Sequence, residues 1–305
     1  MKPLPAEPWA RWLVGEVRPG EPLAPWTSIR VGGRAEILFR PPRLDLLGEA
    51  LRIARSEGVP VTVLGGGANT LVGDGGVPGL TVKLPPDLLR EEIHSRGKRA
   101  TLCFGAGAAI ARLINQMKAH RLVGAEFLAG IPGTLGGAVS MNAGTKHGEC
   151  MRVVEAVEVA TAEGSGWIGR DRLSVRYRHT ELPEGGVVTR VRFELCEGDV
   201  AASHAAMEAD LEYRKRTQPL SQPSFGSVFK NPPGDHAGRL IEQVGLKGHR
   251  EGQAQISPVH ANWIVNLGGA TAREVTSLIA LAQQRVREAC GVDLEPEVKR
   301  VGVFT

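Results

Sequence analysis

The chain has 305 residues, 42% hydrophobic and 23% charged, enough for two or three compact units that each bury a core. No stretch approaches the roughly 20 apolar residues that span a bilayer, and the opening MKPLPAEPWARWLVGE carries prolines and an acid where a signal peptide needs an unbroken apolar run. The expectation is a cytoplasmic protein without membrane insertion. A net charge of +4, from Arg and Lys that are dispersed and not interleaved with aromatics, suits a small anionic ligand better than nucleic acid.

In chain order, TSIRVGGRAEILFRP alternates polar and apolar residues and predicts a strand over 27–41, and LDLLGEALRIARSEG repeats apolar positions at helical spacing up to Gly58. VPVTV then predicts a strand that breaks into Gly65, Gly66 and Gly67, so a β-α-β unit ends in a glycine loop, where α/β sheets place ligands. Short strands follow at TVKLP and RATLCFGAGA, with a helix at AIARLINQMKAH. From Gly124 to Glu149 glycines and alanines crowd into one apolar passage, which forms little side-chain core and is better suited to backbone N–H groups closing on a phosphate. Alternating strands at VVEAVEVATAEG and VVTRVRFELCEG lead to a helix over about 201–216, and TQPLSQPSFGS reads as a linker. AGRLIEQVGLKG is amphipathic, HANWIVNLGGA is a strand with a turn, and TAREVTSLIALAQQRVREACG is a long helix ending at Gly291.

The four cysteines, Cys103, Cys150, Cys196 and Cys290, are far apart and form no CxxC or Cys/His pair, so buried, reduced thiols and no metal site are expected. The Gly65–Asn69 loop lacks the Lys and Ser/Thr of a P-loop and the spaced glycines of a Rossmann fingerprint. Paired with the later glycine passage, it offers two backbone surfaces for one pyrophosphate.

Six ordered motifs give the chain a resemblance: TSIRVGG (27–33), LGGGANTLV (64–72), GIPGTLGGAVSMNAG (130–144), YRHT (177–180), SFGSVFKNP (224–232) and EPEV (295–298). From about residue 25 to 300 the sequence resembles the UDP-N-acetylenolpyruvoylglucosamine reductases, FAD-dependent oxidoreductases of peptidoglycan precursor synthesis. Only 49 positions separate Arg178 from Ser227, which leaves little room for the tyrosine-bearing loop of the longer members, so the resemblance is to the compact subclass.

The resemblance implies an α+β fold, with a vanillyl-alcohol-oxidase-type two-part FAD-binding domain and a smaller α/β substrate domain. Its expected boundaries are 1–80 with 298–305, 81–217, and 218–297. It implies FAD as cofactor, NADPH as hydride donor in a ping-pong cycle, and a UDP-sugar enolpyruvyl ether as substrate. Arg178 and Glu297 are then expected to polarise the substrate carboxyl group and Ser227 to donate a proton. FAD is expected at Arg30, Gly65, Gly66, Gly67, Ala68, Asn69, Thr70, Gly130, Ile131, Pro132, Gly133, Gly136, Gly137, Asn142, Ala143 and Gly144. Tyr177, Arg214, Lys230, Asn231 and His260 are expected around the substrate, with Lys215 and Arg216 as alternative phosphate partners to Arg214.

Taken alone, Ser227 also fits a turn or cap serine, Arg178 an exposed strand arginine, Glu297 a surface acid and His260 a satisfied core histidine. Two other classes stay open at this point. One is a flavin oxidase or dehydrogenase acting on an alcohol or hydroxy acid, which gives the SFGSVFKNP serine no purpose. The other is a non-catalytic flavin- or nucleotide-binding protein, which needs the glycines but not Arg178, Ser227 and Glu297.

Overall fold

The computed structural model describes residues 13–304; residues 1–12, part of the segment discussed as a possible leader, and Thr305 lie outside the described residues. The chain folds into two compact units. Of the described residues, the first takes those up to Pro19, Ile37–Gly66 and Gly79–Glu212, and the second takes Gly20–Glu36, Gly67–Pro78 and those from Tyr213 on.

The first unit holds two cores. In one, helix α1 (Leu44–Ser56) buries Leu47, Ala50, Leu51 and Ala54, a spacing that lines one helical face. Each leucine so buried contributes about 2 kcal/mol. They meet Ile37, Phe39, Leu80 and Val82, from a four-stranded sheet ordered Glu16–Pro19, Ala35–Arg40, Val77–Val82, Val61–Val63. Gly58, at φ 64°, ends α1 where the sequence placed its stop.

The other core lies on a larger antiparallel sheet ordered Gly164–Gly169, Val154–Thr161, Val187–Glu197, Arg99–Gly105, Glu92–Arg96. Its apolar face, including Leu102, Phe104, Val157, Val191 and Phe193, is covered by helix α2 (Ile110–Ala119) and by the short helix α3 (Leu135–Ser140) inside the glycine passage. Helix α4 (Val200–Thr217) buries only Ser203 and Met207.

The second unit has a sheet ordered Ser224–Ser227, Trp263–Asn266, Ala254–Ile256, Arg250–Glu251, packed with helices α5 (Ala237–Gln243) and α6 (Ala272–Cys290). Thr271 and Glu274 form a capping box that starts α6, and left-handed Gly291 ends it. The chain's last strand, Lys299–Val301, pairs in parallel with Thr70–Val72. No described helix is long and apolar enough to cross a membrane.

Three expectations need correction. The strand expected over 27–41 is confined to Ala35–Arg40, because the Thr27 hydroxyl accepts from the Val31 N–H at 3.3 Å and donates to the Ala24 and Val31 carbonyls, and Arg30 is left-handed at φ 57°. Local side-chain bonds of this kind offer the backbone an alternative to a ladder. The segment read as a linker ends in a strand, Ser224–Ser227, because buried Phe225 draws it into the second unit's core. Of the four cysteines, Cys103 and Cys150 are buried, Cys290 is intermediate and Cys196 is exposed.

Candidate active site

In the first unit the two glycine segments meet backbone to backbone. A Cβ on Gly66 would lie 2.6 Å from the Gly133 Cα, and one on Gly65 would lie 2.9 Å from the Thr134 hydroxyl. A side chain at either position would push the loops apart. Gly136 is equally constrained, its position for a Cβ lying 2.9 Å from that of Ala106. Gly130 and Gly133 adopt φ of 73° and 120°, with Ile131 half-buried and Pro132 exposed between them.

Thr134 caps α3 by accepting from the Gly137 N–H at 3.3 Å, whereas among the described residues the N–H groups of Gly65, Gly66, Gly133 and Thr134 donate no hydrogen bond within the chain. Unspent N–H groups on glycine backbone are what a pyrophosphate needs. Lys83 donates to the Gly65 carbonyl from a largely buried position. Burial, and then the charge of Arg40, hold its ammonium down to about 8.

The YRHT motif forms a hairpin beside this cradle. Val175–Arg176 pairs with His179–Thr180, leaving Tyr177 and Arg178 as its turn. Three hydrogen bonds stitch it to the glycine passage: the Thr180 hydroxyl to the Val139 carbonyl (2.6 Å), Asn142 Nδ2 to the Arg176 carbonyl (3.2 Å), and Arg178 Nη2 to the Gly144 carbonyl (3.0 Å). Arg178 is left-handed at φ 58°, a conformation that costs a side-chain-bearing residue about 1 kcal/mol. Its guanidinium lies 4.8 Å from the exposed Tyr177 ring and 3.9 Å from Glu149.

Asn142 is buried, with Oδ1 accepting from the Met151 N–H and Nδ2 shared by Glu149 and Arg176, so its amide is occupied within the fold. Ala143 donates to the Ala138 carbonyl at 2.8 Å. Gly144 faces Gly148 in a tight hairpin, where a Cβ would sit 2.1 Å from the Gly148 carbonyl oxygen.

In the second unit, four of the six motifs contribute apolar residues to one core: Ile29 and Val31, Leu71, Phe225 with Val228 and Phe229, and Val298. The polar residues between them are thereby placed. Left-handed Gly67 leaves no room for a side chain, since its Cβ would be 2.2 Å from the Trp26 carbonyl, and Ser28 donates to its oxygen. Arg30, exposed, follows in the same turn. Among the described residues the Gly67, Ala68 and Asn69 N–H groups are unspent.

Asn69 Nδ2 donates to the Glu297 carbonyl at 3.0 Å, one residue before Thr70 opens the strand paired with Lys299–Val301. The Glu297 N–H donates to the Val228 carbonyl at 2.8 Å and Phe229 bridges Pro296, so the Ser227 and Glu297 segments run side by side. Ser227 follows Gly226 (φ 82°) at a bulge, where three steps from Ser224 to Ser227 oppose two from Val265 to Trp263. Its hydroxyl, partly exposed, makes no hydrogen bond among the described residues.

Lys230 pairs with Glu295 at 2.6 Å. Asn231 accepts from the Ala237 N–H at 3.1 Å, at the start of α5. Arg214 Nε donates to Gln218 in the last turn of α4. The ring of His260 sits under Gly238, and its Nδ1 accepts from the Asn262 N–H. Burial, and then Lys247, lower its pKa, which makes it a neutral, packed imidazole at neutral pH.

Glu149, Lys83, Glu295 and the amide of Asn262 were not singled out for these contacts in the sequence. Their partners lie far along the chain, Asn262 reaching Phe229 across 33 positions and Lys230 reaching Glu295 across 65.

The cradle fits FAD: glycine backbone with unspent donors on both segments, and no space for side chains. Residues 35–167 match the FAD binding domain model, and the class is that of FAD-dependent oxidoreductases. Residues 218–301 match the UDP-N-acetylenolpyruvoylglucosamine reductase C-terminal domain. The chain is 69% identical over 289 residues to UDP-N-acetylenolpyruvoylglucosamine reductase of Myxococcus xanthus, covering 95% of this chain and 93% of that one. It is 55% identical over 295 residues to that of Anaeromyxobacter dehalogenans, covering 97% and 88%. The crystal structure of UDP-N-acetylenolpyruvylglucosamine reductase from Thermus caldophilus superposes with a TM-score of 0.80 at 38% identity, covering 94% of this chain and 98% of that one. The chain belongs to the UDP-N-acetylenolpyruvoylglucosamine reductase family.

Proposed function

We infer that the chain reduces the enolpyruvyl ether of UDP-N-acetylglucosamine enolpyruvate to UDP-N-acetylmuramate, an FAD-dependent step of peptidoglycan precursor synthesis with NADPH as the electron source. The observation that carries this is the Ser227 and Glu297 pair of segments, tied to each other and, through Asn69, to the end of the Gly65–Asn69 loop. Bound FAD would supply the hydride chemistry, and Gly65, Gly66, Gly133 and Thr134 of the first unit would hold it.

Hydride addition at the terminal vinyl carbon puts carbanion character on the carbon beside a carboxylate. Arg178 presents a planar fork to that carboxylate, and a donor aimed at developing charge supplies on the order of 3 kcal/mol. Glu297 assists as a protonated carboxyl or through a shared hydrogen bond, because a bare carboxylate there repels the substrate. Ser227 gives its hydroxyl proton to the carbanion carbon, and the resulting alkoxide takes a proton back from water or a neighbour. Hydride and proton together saturate the double bond.

Tyr177, Arg214, Lys230, Asn231 and His260 are proposed for substrate binding, the cations for the diphosphate. Arg214 is favoured over Lys215 and Arg216 because it is less exposed than either. Lys230 comes already paired with Glu295, which orients its ammonium. The family points to the cytoplasm, where the nucleotide precursor and NADPH are available.

The test is spectral. NADPH bleaches the yellow holoenzyme and the enolpyruvyl nucleotide restores the colour, while hydroxy acids leave the oxidised flavin yellow. Bleaching of the oxidised flavin by a hydroxy acid, with no colour return on adding the enolpyruvyl nucleotide, would assign the chain to the oxidase class.

A further inference from the structure

We propose that Glu149 is a positioning residue that aims the Arg178 guanidinium at the substrate carboxylate; this rests on the role given to Arg178 above. Arg178 occupies the left-handed second position of a two-residue turn and is anchored through Nη2 to the Gly144 carbonyl at 3.0 Å. That bond fixes one nitrogen of the guanidinium, and the Glu149 carboxylate adds a charge contact at another.

Glu149 is the register partner of Gly144 in the Gly144–Glu149 hairpin, so the Gly144 carbonyl and the Glu149 carboxylate stand on one ribbon. Its Oε1 lies 3.9 Å from Arg178 Nη1, inside ion-pair range and beyond hydrogen-bond length, so it steers by charge. The carboxylate is itself held. Its Oε2 accepts from Asn142 Nδ2 at 2.8 Å, and Asn142 is buried and locked by the Met151 N–H and the Arg176 carbonyl.

Arg176 begins the very turn that carries Arg178, so Asn142 fixes the turn and the acid together. The ribbon is rigid for its own reasons. Gly144 cannot take a Cβ against the Gly148 carbonyl, and a Cβ on Gly148 would meet the Phe127 ring at 2.7 Å. A fixed carboxylate beside a pre-aimed arginine is the arrangement that keeps a planar fork in register with an incoming carboxylate.

The test uses flavin-loaded enzyme and separates the half-reactions by stopped-flow absorbance. Glu149→Gln keeps the acceptor for Asn142 and removes the charge. It is expected to slow the return of flavin colour on adding enolpyruvyl nucleotide by about tenfold, to leave bleaching by NADPH unchanged, and to weaken calorimetric binding of UDP-N-acetylmuramate, which carries the same carboxylate. Glu149→Asp, which keeps the charge, is expected to recover part of the loss. In an Arg178→Gly background, Glu149→Gln should cost nothing further.

If Arg178→Gly restores colour at the normal rate, the role of Arg178 falls and the inference with it. If Arg178→Gly is slow but Glu149→Gln is silent, or its loss repeats in full in that background, the inference alone falls. It falls also if both Glu149 variants come without flavin, which would make Glu149 part of the cradle's fold.

Discussion

Asn262 holds Phe229 at both ends of its peptide backbone: Oδ1 accepts the Phe229 N–H at 3.0 Å, and Nδ2 donates to the Phe229 carbonyl at 2.8 Å. The amide stands in for a neighbouring strand just where the ladder lapses after Ser227, and so sets the path of the Ser227–Lys230 segment. Both bonds are buried, and leaving a buried backbone group without its partner costs about 1–3 kcal/mol. Asn262→Ala should lower unfolding free energy by about 2–4 kcal/mol, measured by urea denaturation; a loss under about 0.5 kcal/mol would put Asn262 among ordinary surface positions.

Arg178 invites a substitution that separates backbone from side chain. At φ 58° glycine is the relaxed residue, so Arg178→Gly removes the guanidinium without straining the turn. Thermal stability should stay within about 1 kcal/mol of wild type, while colour return with the enolpyruvyl nucleotide should drop by about two to three orders of magnitude. Loss of flavin with normal reoxidation would place Arg178 in the fold and not in the chemistry.

Two glycines give opposite forecasts. Gly66→Ala would drive a methyl to 2.6 Å from the Gly133 Cα, backbone against backbone, and the purified protein should carry little flavin. Gly48, inside α1, has nothing within 4 Å of its Cβ position, so Gly48→Ala should stabilise by about 0.5–1 kcal/mol. The flavin-to-protein ratio and the melting temperature read both.

Four of the six motifs were legible as placing candidate site residues because each couples a polar residue to an apolar one that packs: Ile29 beside Arg30, Leu71 beside Thr70, Val228 beside Ser227, Val298 beside Glu297. Helices were legible for the same reason, α1 from its 47, 50, 51, 54 spacing and α6 from Thr271, Glu274 and Gly291. What stayed hidden depends on partners distant in sequence. Nothing around Lys83 announces that it will reach Gly65, and nothing around Glu149 announces Arg178. The Thr27–Arg34 segment misled because alternation was present while Thr27 folded the backbone onto itself. The edge strand EIHSR is too polar to show the period-two signal at all.

Lys83 gives the molecule a pH signature. Its ammonium is held down to about 8 from the ordinary 10.5 by burial first and Arg40 second. A cationic group whose folded pKa lies below its unfolded one costs stability while it is protonated, so the cost is full below about 8 and fades as pH rises to 10.5. The stability of wild type relative to Lys83→Met should therefore be flat below pH 8 and move in favour of wild type between 8 and 10.5. Urea titrations across that range test it; a flat difference throughout would mean that Lys83 is not desolvated.

Ser227 tests the central claim most directly, because its proposed duty is one proton transfer and no part of electron delivery from NADPH. Ser227→Ala enzyme, loaded with FAD, is followed through both half-reactions by stopped-flow absorbance. Bleaching by NADPH should run at the wild-type rate, substrate affinity should hold, and colour return with the enolpyruvyl nucleotide should fall by about two to four orders of magnitude, the range for losing a positioned general acid. Wild-type colour return in a correctly folded Ser227→Ala enzyme would contradict the account and leave the SFGSVFKNP segment as a bulged strand with no chemistry.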